Sequence, residues 1–178
     1  MKLALVGSAS TGKTTLVTAI NERLGIKAIP EFAREIIAEM GKSSPKDLTP
    51  DESYYFENEI LRRKIKMERR YEDFIADRST ADNAVYYLKF CSRYFDDKHN
   101  AKYVQKAANH LKIYDKIIVL PWNVIPYEED GFRSDHRYYQ YEMHCCLLGF
   151  LHDNNVKYEV MKQVKLKDRV DKIMKYYL

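Results

Sequence analysis

The sequence predicts an α/β fold: a mostly parallel, five-stranded sheet with helices on both faces. Two observations carry that expectation. Apolar runs of strand length at 2–7, 26–30, 73–77, 115–120 and 156–161 alternate with longer amphipathic stretches at 13–24, 33–40, 50–71, 79–95, 99–112, 134–153 and 166–177. Parallel strands need crossover connections, usually helical, so this alternation sets the sheet between two helical layers. The first strand run, Leu3-Ala4-Leu5-Val6, also leads straight into Gly7-Ser8-Ala9-Ser10-Thr11-Gly12-Lys13-Thr14 and then Leu16-Val17-Thr18-Ala19-Ile20. That is G-x-x-x-x-G-K-[ST] between a buried strand and a helix.

The remaining elements follow in order. Gly25 and Gly41 stand just past the first two helices, where a left-handed cap is expected. Thr49-Pro50-Asp51-Glu52 opens the third helix, with Thr as N-cap, Pro at the first position and acids in the first turn. The fourth strand run ends Val119-Leu120-Pro121-Trp122-Asn123. Pro126 to Gly131 reads as a loop, and Ser134 can cap the helix that follows. At 178 residues, with no linker, repeat or low-complexity tract, the chain suits one domain over 1–178.

Composition narrows the setting. Thirty basic and 26 acidic residues leave a net charge of only +4, which permits nucleic-acid contact without demanding it. Cys91 and the adjacent Cys145 and Cys146 form no disulfide framework and no C-x-x-C, which fits a reducing compartment. The N-terminal apolar run is short and leads into the loop rather than to a cleavage site, and no stretch is long enough to span a bilayer. The expectation is a cytoplasmic protein without a membrane partner.

The loop is a phosphate site by its chemistry. Gly7 and Gly12 permit backbone angles that a Cβ forbids, so amides from Gly7, Ser8, Ala9, Ser10, Thr11, Gly12, Lys13, Thr14 and Thr15 can turn toward phosphate oxygens at a helix N-terminus. Lys13 brings a positive charge to the β- and γ-phosphates of ATP, and the Thr14 hydroxyl is a ligand for Mg²⁺.

In sheets of this kind ligands sit at the carboxyl ends of the strands. The second strand ends Ile29-Pro30-Glu31-Phe32-Ala33-Arg34-Glu35 and the third Phe74-Ile75-Ala76-Asp77-Arg78-Ser79, so both carry an acid followed closely by an arginine. Both should converge on the γ-phosphate side of the loop. Asp77 is placed to order Mg²⁺; the alternative is an N-cap for the next helix, a role for which Ser79 competes. Glu31 is placed to accept the proton of an acceptor hydroxyl; the alternative is a structural ion pair with Arg34. Arg34 or Arg78 would hold that carboxylate or bind a substrate phosphate. Arg78, rather than a second acid, follows Asp77, and neither D-x-x-G nor N-K-x-D occurs, which favours a phosphotransferase over a hydrolase.

Asp130-Gly131-Phe132-Arg133-Ser134-Asp135-His136-Arg137 suits a lid, spanning roughly 126–145, in which Arg133 and Arg137 meet the transferring phosphates on closure. An ordinary solvated basic turn is the alternative. Arg62-Arg63-Lys64 with Lys66, Arg69 and Arg70 reads as a solvated helix face, or as a nucleic-acid footprint. His136, His144 and His152 lack the spacing of a zinc set.

With these residues the chain resembles the small P-loop kinases of the nicotinamide-riboside kinase domain type, grouped with AAA-like ATPases. The match runs through Gly7 to Thr14, Glu31-Phe32-Ala33-Arg34-Glu35, Asp77 and Asp130-Gly131-Phe132-Arg133-Ser134. It is similar in two places to the deoxynucleoside kinases, at Ile29-Pro30-Glu31 and at Asp77-Arg78-Ser79. That resemblance implies a glutamate, Glu31, by the acceptor hydroxyl and an arginine, Arg78, by the phosphates. The expected fold is therefore that of the P-loop NTPases, with strand order 2-3-1-4-5. The expected activity is Mg·ATP-dependent phosphoryl transfer to a nucleoside-like or nucleotide acceptor, with Glu31 or Asp77 as base. A kinase acting on a hydroxylated base in DNA, and a P-loop ATPase or nucleotide-gated binding module, are the alternatives. Small stand-alone members of this type occur in phage genomes, which implies a bacterial or phage-infected cytosol.

Overall fold

The central strands are apolar through their buried middles, Leu3 to Val6, Phe74 to Ala76 and Ile117 to Val119, because both of their faces are covered. In the computed structural model, which describes residues 1–126 and 137–177, β1 (Lys2–Val6) pairs in parallel with β3 (Phe74–Asp77) on one side and β4 (Lys116–Val119) on the other. β2 (Lys27–Ile29) joins β3 and β5 (Glu159–Val160) joins β4, giving the order β2-β3-β1-β4-β5, all parallel. The pleat sorts the side chains. Ala4, Val6, Phe74, Ala76, Ile117 and Val119 enter one core, and Leu3, Leu5, Ile75 and Ile118 enter the other.

The first core is roofed by α2 (Ala33–Glu39), α3 (Pro50–Glu68), α4 (Thr80–Phe90) and α6 (Arg137–Asp153), and the second by α1 (Lys13–Leu24) and α7 (Leu166–Met174). A third cluster, including Leu61, Tyr87 and Tyr103, binds α5 (Asp97–His110) to α3 and α4. The register Leu5↔Asp77 sets the carboxyl end of β3 beside the start of the phosphate loop.

The local signals explain the boundaries. Thr49 caps α3 in a reciprocal capping box with Glu52, worth about 1 kcal/mol. Gly41 (φ +68°) closes α2 in a Schellman motif, its N–H on the Ala38 carbonyl and that of Lys42 on the Ile37 carbonyl. The expected helix at 79–95 stops at Phe90 and yields to a 3₁₀ turn, Ser92–Tyr94. There Ser92 Oγ donates to the Leu88 carbonyl, and Asn100 donates to the carbonyls of Ser92 and Phe95, so side chains replace helical bonds. Of the helix expected at 134–153, residues 134–136 lie outside the described residues.

One expectation is corrected. The basic run on α3 is not a solvated face throughout. Lys64 is fully buried; Arg62 and Arg63 are both bound by Glu59, and Arg63 also by Glu35 and Glu39. Acids on the same helix and on α2 neutralise these cations within the fold. Among the described residues no helix is long and apolar enough to cross a membrane.

Candidate active site

The chain turns out of β1 at Gly7 (φ +147°), where an added Cβ would stand 2.5 Å from the Leu120 carbonyl. Only glycine passes that close to the end of β4. Gly12 (φ +82°) caps α1 without a side-chain acceptor, so the first-turn amides and the positive end of the helix dipole are presented to an anion. Ser8, Ala9 and Thr11 are buried between them, while Thr14 and Thr15 stand exposed on the first turn of α1. Lys13 folds back on the loop, donating to the Ser8 carbonyl at 2.6 Å and to Thr11 Oγ1 at 3.2 Å. Phosphate oxygens would offer that ammonium stronger, charge-assisted acceptors. Two helices brace the loop: Gln140 Nε2 of α6 donates to the Ala9 carbonyl at 3.0 Å, and Arg169 Nη1 of α7 to the Thr11 carbonyl at 2.9 Å.

Asp77 meets the loop at its helix end. Thr14 Oγ1 donates to Asp77 Oδ2 at 2.5 Å, and Asp77 Oδ1 is buried with no hydrogen-bond partner. A buried carboxylate oxygen without a partner, beside a hydroxyl, is the donor set a hard divalent cation takes. These residues fit Mg²⁺. Asp77 does not cap α4. Ser79 does, accepting from the Ala81 N–H and forming a capping box with Asp82.

Arg78 is the hub. Its backbone is left-handed (φ +69°) and its guanidinium is buried over the Tyr86 ring. Nε donates to Glu31 Oε2 at 2.6 Å, and Nη1 to the Gly7 carbonyl at 3.2 Å and Asp82 Oδ1 at 3.4 Å. Burial works against its charge, but Tyr86, Glu31, Asp82 and Asp77 outweigh it and hold the guanidinium's pKa well above its ordinary value. The two acid–arginine pairs thus meet across the sheet end: Glu31, from the end of β2, pairs with Arg78, from the end of β3. Arg34 is exposed on α2 and does not line the adjacent cavity.

That cavity, about 470 Å³, opens beside Glu31 and Arg78 and is walled by Tyr86, Tyr139, Glu57 and Asn83. Glu57 and Asn83 are buried, and Glu57 Oε2 and Asn83 Oδ1 have no hydrogen-bond partner. Burial pushes the Glu57 carboxyl up to about 8, against the pull of Arg78. Sequence reasoning missed Glu57, Asn83, Asp82 and Gln140. The usable signal for Glu57 was position, since it shares the apolar stripe of α3 with Ile60, Leu61 and Ile65. For Asp82 it was the Ser79-to-Asp82 capping spacing. Of the lid, Arg133 lies outside the described residues, as does the side chain of Arg137 at the start of α6. Among the described residues no His/Cys/Asp/Glu cluster of three or more could hold a metal ion.

Comparisons with known proteins agree with this architecture. Deoxyadenosine kinase from M. mycoides with bound dATP is similar at a TM-score of 0.68, 18% identity and 99% of each chain. The NadR protein in complex with NR is similar at a TM-score of 0.73 and 20% identity over 98% of this chain, which spans 50% of NadR. Shikimate kinase from Aquifex aeolicus is similar at a TM-score of 0.63, 13% identity, 99% of this chain and 96% of that one. At these identities the likeness is one of fold. No curated protein sequence matches the chain. A family model described as AAA domain matches residues 2–169, from the first residue of β1 to the arginine of α7 that braces the phosphate loop, and on that match the chain belongs to the AAA domain family.

Proposed function

We propose that the protein is an Mg·ATP-dependent phosphotransferase acting on a nucleoside-like hydroxyl. The observation that carries this reading is the continuous bridge from Glu31 through Arg78 to the Gly7 carbonyl, which joins the wall of the cavity to the phosphate loop. A hydrolase needs no such acceptor cavity. Its volume, about 470 Å³, suits a nucleoside-sized ligand, and the dATP bound to the similar deoxyadenosine kinase and the NR in complex with the similar NadR support the same class.

Lys13 and the loop amides hold the phosphates, and Thr14 and Asp77 hold Mg²⁺, which when bound draws charge from the phosphate oxygens. The acceptor oxygen attacks the γ-phosphorus while the bond to the bridging oxygen of ADP breaks. Its proton passes to the carboxylate of Glu31 or of Asp77. Arg78, with Arg133 and Arg137 from the lid, balances the charge as the phosphoryl group moves. Glu57 and Asn83 present donor and acceptor groups to the acceptor's hydrogen-bonding edge. The test is transfer of γ-labelled phosphate from ATP across nucleosides, nucleotides and DNA, with phosphate release measured alongside. Labelled nucleoside product supports the reading. Acceptor-independent phosphate release moves it to an ATPase, and labelling of DNA alone moves it to a polynucleotide kinase. Arg62 and Arg63 are bound by acids and Lys64 is buried, so of the basic run that last reading invoked Lys66, Arg69 and Arg70 are the remaining exposed cations.

A further inference from the structure

Lys64 is the unexplained charge of this molecule. It lies on the buried stripe of α3, fully removed from water, as does Glu68 one turn on. Burying an ion pair strips both ions of hydration, and their attraction repays this only where further hydrogen bonds complete the shell. Here they do. Glu68 Oε1 stands 3.5 Å from Lys64 Nζ, Glu68 Oε2 stands 2.8 Å from His110 Nε2, and the Tyr114 hydroxyl reaches both carboxylate oxygens at 2.9 Å.

What the ammonium holds is more telling. Lys64 Nζ donates to the Asp77 carbonyl at 3.0 Å. That carbonyl belongs to the Asp77–Arg78 peptide, whose N–H donates to the Leu5 carbonyl of β1 at 2.8 Å. The peptide is pinned at both ends. It needs to be, because Arg78 has φ +69°, a left-handed conformation that strains a residue with a side chain. β2 ends at Ile29, opposite Ala76, so Asp77 lies one residue beyond that ladder. From this one peptide project the carboxylate that takes the Thr14 hydroxyl and the guanidinium that takes Glu31.

We propose that Lys64 is a positioning residue for phosphoryl transfer: it clamps the Asp77–Arg78 peptide from inside the core, and Glu68, steadied by His110 and Tyr114, is the counter-charge that keeps it there. The consequence for turnover rests on the kinase reading; the clamp itself does not. A sub-ångström loosening of this peptide moves the acid and the arginine together, which is the kind of misplacement that costs rate far from the chemistry.

The experiment separates the two. In the parent protein the Lys64 ammonium protons should exchange slowly with water by ¹⁵N NMR, and exchange at the rate of surface lysines overturns the clamp. Lys64→Met alone strands Glu68 as an unpaired buried charge, so Lys64→Met/Glu68→Gln is the working variant. Its Arg78 amide should exchange about tenfold or more faster than the parent's while the Ile75 amide stays protected, a sign of local rather than global opening. The Mg²⁺ concentration that half-saturates ATP binding should rise several-fold, and kcat should fall about ten- to a hundredfold with the KM for ATP within about twofold. Parent-like Arg78 exchange and Mg²⁺ dependence in the double variant overturn the clamp. A parent that transfers no phosphate sinks the kinase reading and leaves the exchange and binding results to decide the clamp.

Discussion

Two strand ends carry the same sequence pattern, an acid and then an arginine, and the fold treats them differently. At the end of β3, Asp77 and Arg78 are both buried, and the peptide between them is bound at its N–H and its carbonyl. At the end of β2, Glu31 is half-buried at the cavity wall and Arg34 is exposed. Glu31 takes its arginine from β3. A parallel sheet brings the carboxyl ends of neighbouring strands together, so the pair that spans the site joins an acid of one strand end to the arginine of the next.

The largest effect should follow from cutting the bond between the two ends. Arg78→Met keeps much of the stem but takes the guanidinium away from Glu31 and from the buried Asp82. Removing one partner of a buried pair costs about 3–5 kcal/mol. Denaturant unfolding should register that loss, and phosphoryl transfer should fall below detection. A variant as stable as the parent would show that the two ends are held by something else.

Glu31→Gln comes next. It preserves shape and a hydrogen bond to Arg78 but cannot take a proton, so kcat should fall by about two to four orders of magnitude. Asp77→Asn should also fall, with an altered Mg²⁺ dependence. Parent-like turnover in Glu31→Gln would make Asp77 the leading base and reduce the β2 end to a wall of the cavity.

Glu57 gives the comparison a pH axis. Its folded pKa of about 8 exceeds its ordinary 4.5 because burial disfavours the charge. The folded protein then holds a proton that the unfolded chain releases, so stability falls as pH rises from about 4.5 to about 8 and levels off beyond. Glu57→Gln should remove this component and raise the melting temperature at pH 8 by on the order of 10 °C relative to the parent. Matching pH profiles for the two proteins would mean that Glu57 is ionised in the native state. It would then select a cationic acceptor rather than a neutral hydrogen-bonding edge.

Much of the fold could be read along the chain, because the central strands are apolar through their buried middles and several helix boundaries carry a local signal. Thr49 and Gly41 act at the places their residue types mark. The phosphate loop was legible for the same reason: its glycines, lysine and threonine do their work within one turn of chain. What stayed hidden depends on contacts across the sequence. Lys64 reads as one more cation on a basic helix until β3 places the Asp77 carbonyl above it, and Glu57 is marked only by its place on the apolar stripe of α3 until α4 and α6 close the cavity over it. The break at Cys91 was hidden because Ser92 and Asn100 draw the backbone away from a helix that propensity alone would continue.

The smallest effect should come from the other arginine of the comparison. Arg34 stands two residues after the β2 strand exit's Phe32, exposed on the first turn of α2 and away from the lining of the cavity. An exposed cation there contributes little, since solvent screens it and its long side chain loses entropy when held. Arg34→Ala should therefore change stability by no more than about 0.5 kcal/mol and leave kcat near that of the parent, in contrast to Arg78→Met. The measurement that matters is the KM for a phosphorylated acceptor set against that for its nucleoside. If Arg34 reaches an acceptor phosphate when both substrates are bound, Arg34→Ala will raise the first KM by about tenfold and leave the second unchanged. The β2 end would then discriminate a nucleotide acceptor from a nucleoside one. Equal KM values for both acceptors would confine recognition of the transferring phosphates to Arg78 and the lid.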